Sequence, residues 1–78
     1  MKYTNGQIVC LGDRVRITHD MPGVVVADID NGNYESPYLE AEWSYLKKGA
    51  LIYSEQGGIF HYDEDHIRDI TFVSRASP

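Results

Sequence analysis

Three groupings in this chain carry residue types that could do chemistry. Cys10 with His19, His61 or His66 supplies a thiol and imidazoles, the ingredients of a nucleophile and its base. But Cys10 falls in the apolar run Gln7-Ile8-Val9-Cys10-Leu11, where free cysteine is usually inert packing. There is no Gly-x-Ser-x-Gly elbow, phosphate-cradling glycine loop or paired-cysteine motif. The chain is therefore expected not to be an enzyme. In the second grouping, Asp63-Glu64-Asp65-His66 with His61 nearby, carboxylates suit a hard cation and imidazoles suit zinc. Its spacing matches no ligand template and it sits where a turn is expected, so no metal and no cofactor is expected there. An acidic turn is a natural docking surface for a basic partner. The third, Asp28-Ile29-Asp30-Asn31-Gly32, has the composition of a calcium loop. An EF-hand needs Gly sixth and Glu twelfth. Counting from Asp28, Gly32 is fifth and the twelfth residue is Leu39, so a hairpin with charged shoulders is the better reading.

These residues have to be positioned by one small domain, 1–78. A chain of this size buries only roughly 60% of its unfolded surface. One Trp, six Tyr and two Phe help, because each ring buries a large area. Trp43, Phe60 and Phe72 are expected in the core. Tyr34, Tyr38, Tyr45, Tyr53 and Tyr62 are too many for so small an interior, and surface tyrosines are common interface anchors. The single cysteine rules out an internal disulfide and fits a reducing cytoplasm. No basic N-terminus leads into an apolar run, and no stretch approaches membrane-spanning length, so neither a secretory signal nor a membrane partner is expected. Twelve acids against seven bases give a net charge of −5, which disfavours a phosphate-tracking protein and permits a basic partner.

Along the chain, Arg14-Val15-Arg16-Ile17-Thr18 alternates, which predicts a strand with Val15 and Ile17 inward. Pro22-Gly23 predicts a tight turn, and Gly23 to Ala27 is the strongest strand signal. Asn31-Gly32 marks a hairpin turn. Leu39, Trp43 and Leu46 share one helical face, Ser36 can cap, and Pro37 suits the first helical position. Glu40 and Glu42 near the start and Lys47 and Lys48 near the end suit the helix dipole, and Gly49 can close it. These signals predict a helix over about 37–48. Leu51–Ser54 and Ile59–Tyr62 flank a flexible Glu55–Gly58 turn and predict a hairpin. Asp63 can cap a single turn, and Ile67 to Val73 holds a last strand before a 74–78 tail. Five or six short antiparallel strands with one inserted helix predict a mainly β protein closed into a small barrel, which would remove exposed edges.

Gly12-Asp13-Arg14-Val15-Arg16-Ile17 followed by Pro22-Gly23-Val24-Val25-Val26 resembles the opening hairpin of SH3-like barrels, including the KOW type. KOW modules that bind RNA or ribosomal partners usually bring basic residues. Here the second strand runs into Asp28 and Asp30, so nucleic acid is not the expected partner. Trp43-Ser44-Tyr45-Leu46-Lys47-Lys48-Gly49 and Gly58-Ile59-Phe60-His61-Tyr62 resemble segments of small bacterial proteins akin to the immunity proteins encoded beside toxins. That resemblance implies a cytoplasmic, non-catalytic inhibitor that covers the active site or substrate surface of a toxin enzyme, for example a basic nuclease. The alternative is a KOW-like regulatory module on the transcription or translation apparatus. A small metal-dependent or thiol enzyme is a third reading. The residues expected to meet a protein partner are Asp28, Asp30, Tyr34, Glu35 and Tyr38, with the acidic turn Asp63, Glu64 and Asp65.

Overall fold

The chain is organised around its longest strand. The computed structural model describes residues 1–76, and His19 through its backbone only. The end of the expected tail, residues 77–78, lies outside the described residues. In chain order the elements are β1 (Arg14–Ile17), β2 (Met21–Asp28), β3 (Asn33–Tyr34), α1 (Glu40–Trp43), β4 (Ala50–Ser54), β5 (Gly58–Tyr62) and β6 (Thr71–Ser74). They form one antiparallel sheet in the order β5-β4-β2-β1-β6, with β3 also paired to β2. The expected mainly β architecture with one short helix is present. The expected barrel is not closed: β5 and β6 are the two ends of the sheet. After β5 the chain makes a turn at Asp63–His66 and a 3₁₀ turn at Ile67–Asp69, then pairs with β1 instead of β5.

The pattern of burial follows from one bulge. Val24 pairs with Tyr53 and Val25 with Ile52, but Ala27 pairs with Leu51, leaving Val26 as an extra residue in β2. Val24, Ala27, Leu51 and Tyr53 therefore share one face, and Val25 with Ile52 the other. On the inner face, Val15, Ile17, Val25, Ala50, Ile52 and Tyr62 form the main core with Ile70 and with Tyr3 and Val9 of the N-terminal segment. That segment, which contains the apolar run Gln7–Leu11, makes an isolated Lys2–Ile8 bridge. Full burial of each large aliphatic side chain stabilises by about 1.5–3 kcal/mol. On the outer face, Val26, Ala27, Ile29 and Leu51 form a second, smaller cluster covered by Tyr34, Tyr38, Trp43 and Leu46. Phe60 and Phe72 pack against the main core, partly buried.

The helix is shorter than the sequence pattern indicates. It starts at Glu40, not Pro37, and passes at Ser44 into a 3₁₀ turn ending at Leu46. The Ser36–Pro37 pair is used earlier, in a turn where the Tyr38 N–H donates to the Glu35 carbonyl at 2.8 Å. Leu39 becomes the N-cap residue and is 55% exposed, so only Trp43 and Leu46 of the expected stripe dock on the sheet. Lys47, at φ +69°, ends the turn in place of Gly49. Gly49, at φ +97°, instead leads the chain into β4, where a Cβ would strike the Tyr62 carbonyl oxygen. Pro22 and Gly23 also depart from expectation, lying inside β2, with a 3₁₀ turn at Thr18–Asp20 joining β1 to it. Gly23 is needed there because a Cβ would come within 2.6 Å of Ile52 Cγ2.

Candidate protein-binding site

Residues 33–46 arch over the outer face of the sheet and carry three of the expected contact residues, Tyr34, Glu35 and Tyr38. Tyr34 and Tyr38 are half-buried against the Val26–Leu51 cluster, and Glu35 is exposed between them. Partial desolvation, then the charges of Glu40 and Asp28, push the Tyr34 hydroxyl pKa up from its ordinary value. Asp28 does not face outward. It is 5% exposed, and its Oδ2 accepts from Asn31 Nδ2 at 2.7 Å, so it offers almost no surface and braces the turn before β3. Asp30 is also a strut: its Oδ1 accepts from the Gly49 N–H at 2.9 Å, and its Oδ2 lies 3.4 Å from the Met1 amino nitrogen. The sequence pattern missed what the arch does expose. Leu39 is 55% and Tyr45 70% exposed, and the carboxylates of Glu35, Glu40 and Glu42 lie in the same exposed segment. Helical spacing assigned Leu39 to the core; the later helix start puts it in solvent.

The acidic turn after β5 forms as its residues suggest. Asp63 Oδ1 accepts from the Asp65 N–H at 3.0 Å and from His66 Nδ1 at 2.8 Å. The His66 bond is the main reason that the Asp63 carboxyl pKa falls below its usual value, and the same bond raises the His66 pKa. Glu64 and Asp65 remain exposed. His61 is held elsewhere, donating from Nε2 to the Lys48 carbonyl at 2.8 Å. Among the described residues, no three His, Cys, Asp or Glu side chains come together as a metal site.

Cys10 is tied into a third cluster, centred on a residue that the sequence marked only as part of the segment resembling an SH3-like opening hairpin. Asp13 is wholly buried. Its Oδ2 accepts from the Tyr3 hydroxyl at 2.7 Å and from the Cys10 N–H at 3.0 Å. Oδ1 has no hydrogen-bond partner among the described residues and faces Arg75 Nε at 3.6 Å. Burial and the Asp13 bond drive the Tyr3 hydroxyl pKa far up. Arg75 also donates to Cys10 Sγ at 2.8 Å and to the Ile8 carbonyl at 3.1 Å, and its guanidinium lies 5.5 Å from the Phe72 ring centroid. The thiol is thus engaged with an arginine. Of its suggested imidazole partners, His61 and His66 bond elsewhere and the His19 side chain lies outside what is described.

No family model, curated protein or solved structure matches the chain. Among the described residues, no helix is long and apolar enough to cross a membrane.

Proposed function

We propose that the chain is a non-catalytic protein-binding module, and specifically an immunity-type inhibitor that neutralises a toxin enzyme by covering its active site or substrate surface. The observation that carries this reading is the composition of the arch: Leu39 and Tyr45 stand in solvent in a segment that also exposes Glu35, Glu40 and Glu42. Exposed apolar side chains grouped in one segment can form an interaction surface, and tyrosine is a frequent anchor at the centre of one. The carboxylates select a basic partner and steer its approach, so a nuclease with a cationic substrate groove fits. Glu64 and Asp65 extend the acidic surface. The likeness of residues 43–49 and 58–62 to bacterial immunity proteins supports the same reading, which places the protein in the cytoplasm beside its toxin.

A tagged pull-down at moderate salt, read by mass spectrometry, tests the proposal. One near-stoichiometric basic partner is expected, and the charge-reversed variant E35K/E40K/E42K is expected to lose at least about tenfold in affinity for it. Unchanged capture by that variant would overturn the assignment of the arch. A second reading, a KOW-like regulatory module, is favoured by Arg14 and Arg16, which both stand exposed on β1. It predicts ribosomal or polymerase subunits in the same experiment.

A further inference from the structure

The arch packs on Val26, Ala27, Ile29 and Leu51, whereas Arg14, Val24 and Tyr53 of the same face, nearer β1 and β6, are exposed. There the register aligns a row across four strands: Ser74 of β6 opposite Arg14 of β1, Arg14 opposite Val24 of β2, and Val24 opposite Tyr53 of β4. In the next row Arg16 stands opposite Pro22. A second register shift pairs Arg14 with Ser74 but Val15 with Phe72, so Val73 bulges from β6 and is 51% exposed. Val24 and Tyr53 are 36% and 39% exposed. Together with Arg14, Arg16 and Glu55 they line a groove of about 390 Å³. A second hollow of about 520 Å³, bounded by Gly12, Ser74 and Arg75, adjoins it through Arg14 and Val24.

The charge of this surface runs against that of the molecule. Three of the four arginines, Arg14, Arg16 and Arg75, line it in a chain of net charge −5. Arg75 is held by Asp13, and Arg16 reaches Asp20 at 3.8 Å. Arg14 has no ion pair with another described residue, although it borders both hollows. A guanidinium forks onto a carboxylate with two parallel hydrogen bonds, and Arg beside Tyr and aliphatic side chains is the composition of a binding hot spot.

We infer that this groove is a second binding site, one that takes an extended acidic segment of a partner protein. Its carboxylate rests on Arg14 and Arg16, and an adjacent apolar side chain lies over Val24, Tyr53 and Val73. A polyanion fits less well, because no lysine lines either hollow and Glu55 sits within the groove. The site is distinct from the arch and opposite to it in charge, so it stands whether or not the inhibitor reading does.

The test is a binding screen of the intact protein against a library of short peptides in which Glu or Asp alternates with Leu, Val, Phe or Tyr. Fluorescence anisotropy ranks the library, and amide chemical shifts locate the best binder. The expected result is salt-sensitive binding that moves the amides of Val24, Tyr53 and Val73. R14Q/R16Q, which alters only exposed side chains, and R14E/R16E are each expected to weaken it at least about tenfold, whereas E35K/E40K/E42K does not weaken it. Matching peptides with Gln and Asn in place of the acids are expected to bind at least about tenfold more weakly. Three results would overturn the proposal: no binding by any library member, binding that survives R14Q/R16Q with the fold intact by circular dichroism, or tighter binding of a single-stranded oligonucleotide at the same groove.

Discussion

Asp13 is a carboxylate with no exposed surface, and its surroundings define what the residue scale contributes to this protein. A buried charge is tolerated only when paired and hydrogen-bonded. Asp13 collects the Tyr3 hydroxyl, the Cys10 N–H and the facing Arg75. Asp13→Ala would leave the first two donors without an acceptor and is expected to destabilise by about 3 kcal/mol, measured by urea unfolding. His66 and Asp63 allow a second prediction. The His66 pKa is raised by Asp63, so its contribution is fully present below the ordinary histidine value and is lost as pH rises through the raised one. The Asp63 pKa is lowered by His66, so its contribution is present above its ordinary value of 3.8 and is lost as pH falls through the lowered one. The pair is therefore most favourable between about pH 4 and 6.5. An NMR titration is expected to place the His66 midpoint above the ordinary value, and Asp63→Asn is expected to bring it back. The cap on this turn was legible in the sequence because it is local; the burial of Asp13 was not, because its partners come from residues 3, 10 and 75.

At the scale of elements, the sheet and the arch differ in how they are held. β2 and β4 pair across several residues and carry the core, whereas the arch contributes only a two-residue strand and a single helical turn running into 3₁₀. A helix of this length has no stability of its own. Docking of Trp43 and Leu46 on the outer cluster supplies it. Trp43→Ala is expected to destabilise by about 2 kcal/mol, less than a fully buried aromatic because Trp43 is half-exposed. Hydrogen exchange is expected to show arch amides opening before those of β2 and β4 in the parent, and faster still in the variant. The β4–β5 hairpin matched its sequence signals almost residue for residue, because its strands and its Gly-rich turn agree locally. The helix did not. Its first expected turn, around Ser36 and Pro37, was taken by the turn that returns the Glu35–Tyr38 segment to the sheet.

Across the whole molecule, Asp30 and Arg75 each join distant parts of the chain. Asp30 holds Gly49 and approaches the Met1 amino nitrogen, and Arg75 reaches back to Ile8, Cys10 and Asp13. Arg75→Ala leaves a buried carboxylate without its cation and is expected to lower the urea midpoint by the equivalent of about 2 kcal/mol. A double-mutant cycle with Asp13→Ala is expected to show coupling of about 1 kcal/mol, since each variant removes the same interaction. The open sheet, with an acidic arch packed on part of its outer face and Arg14 and Arg16 beside a groove on the same face, gives the molecule two surfaces of opposite charge.

By itself the sequence determined the strand-rich class, the β4–β5 hairpin, the Asn31-Gly32 turn and the Asp63 cap, because alternation, glycine and side-chain capping act over a few residues. Tertiary structure decided the rest. The shifts at Val26 and Val73 re-aim every neighbouring side chain, so they determine which face of the sheet is covered and which is bare. The pairing of β2 with both β1 and β4 brings Arg14, Val24 and Tyr53 into one row. Packing likewise turned Asp28 inward and Leu39 outward. No local pattern contains that information, because it depends on which strand lies beside which.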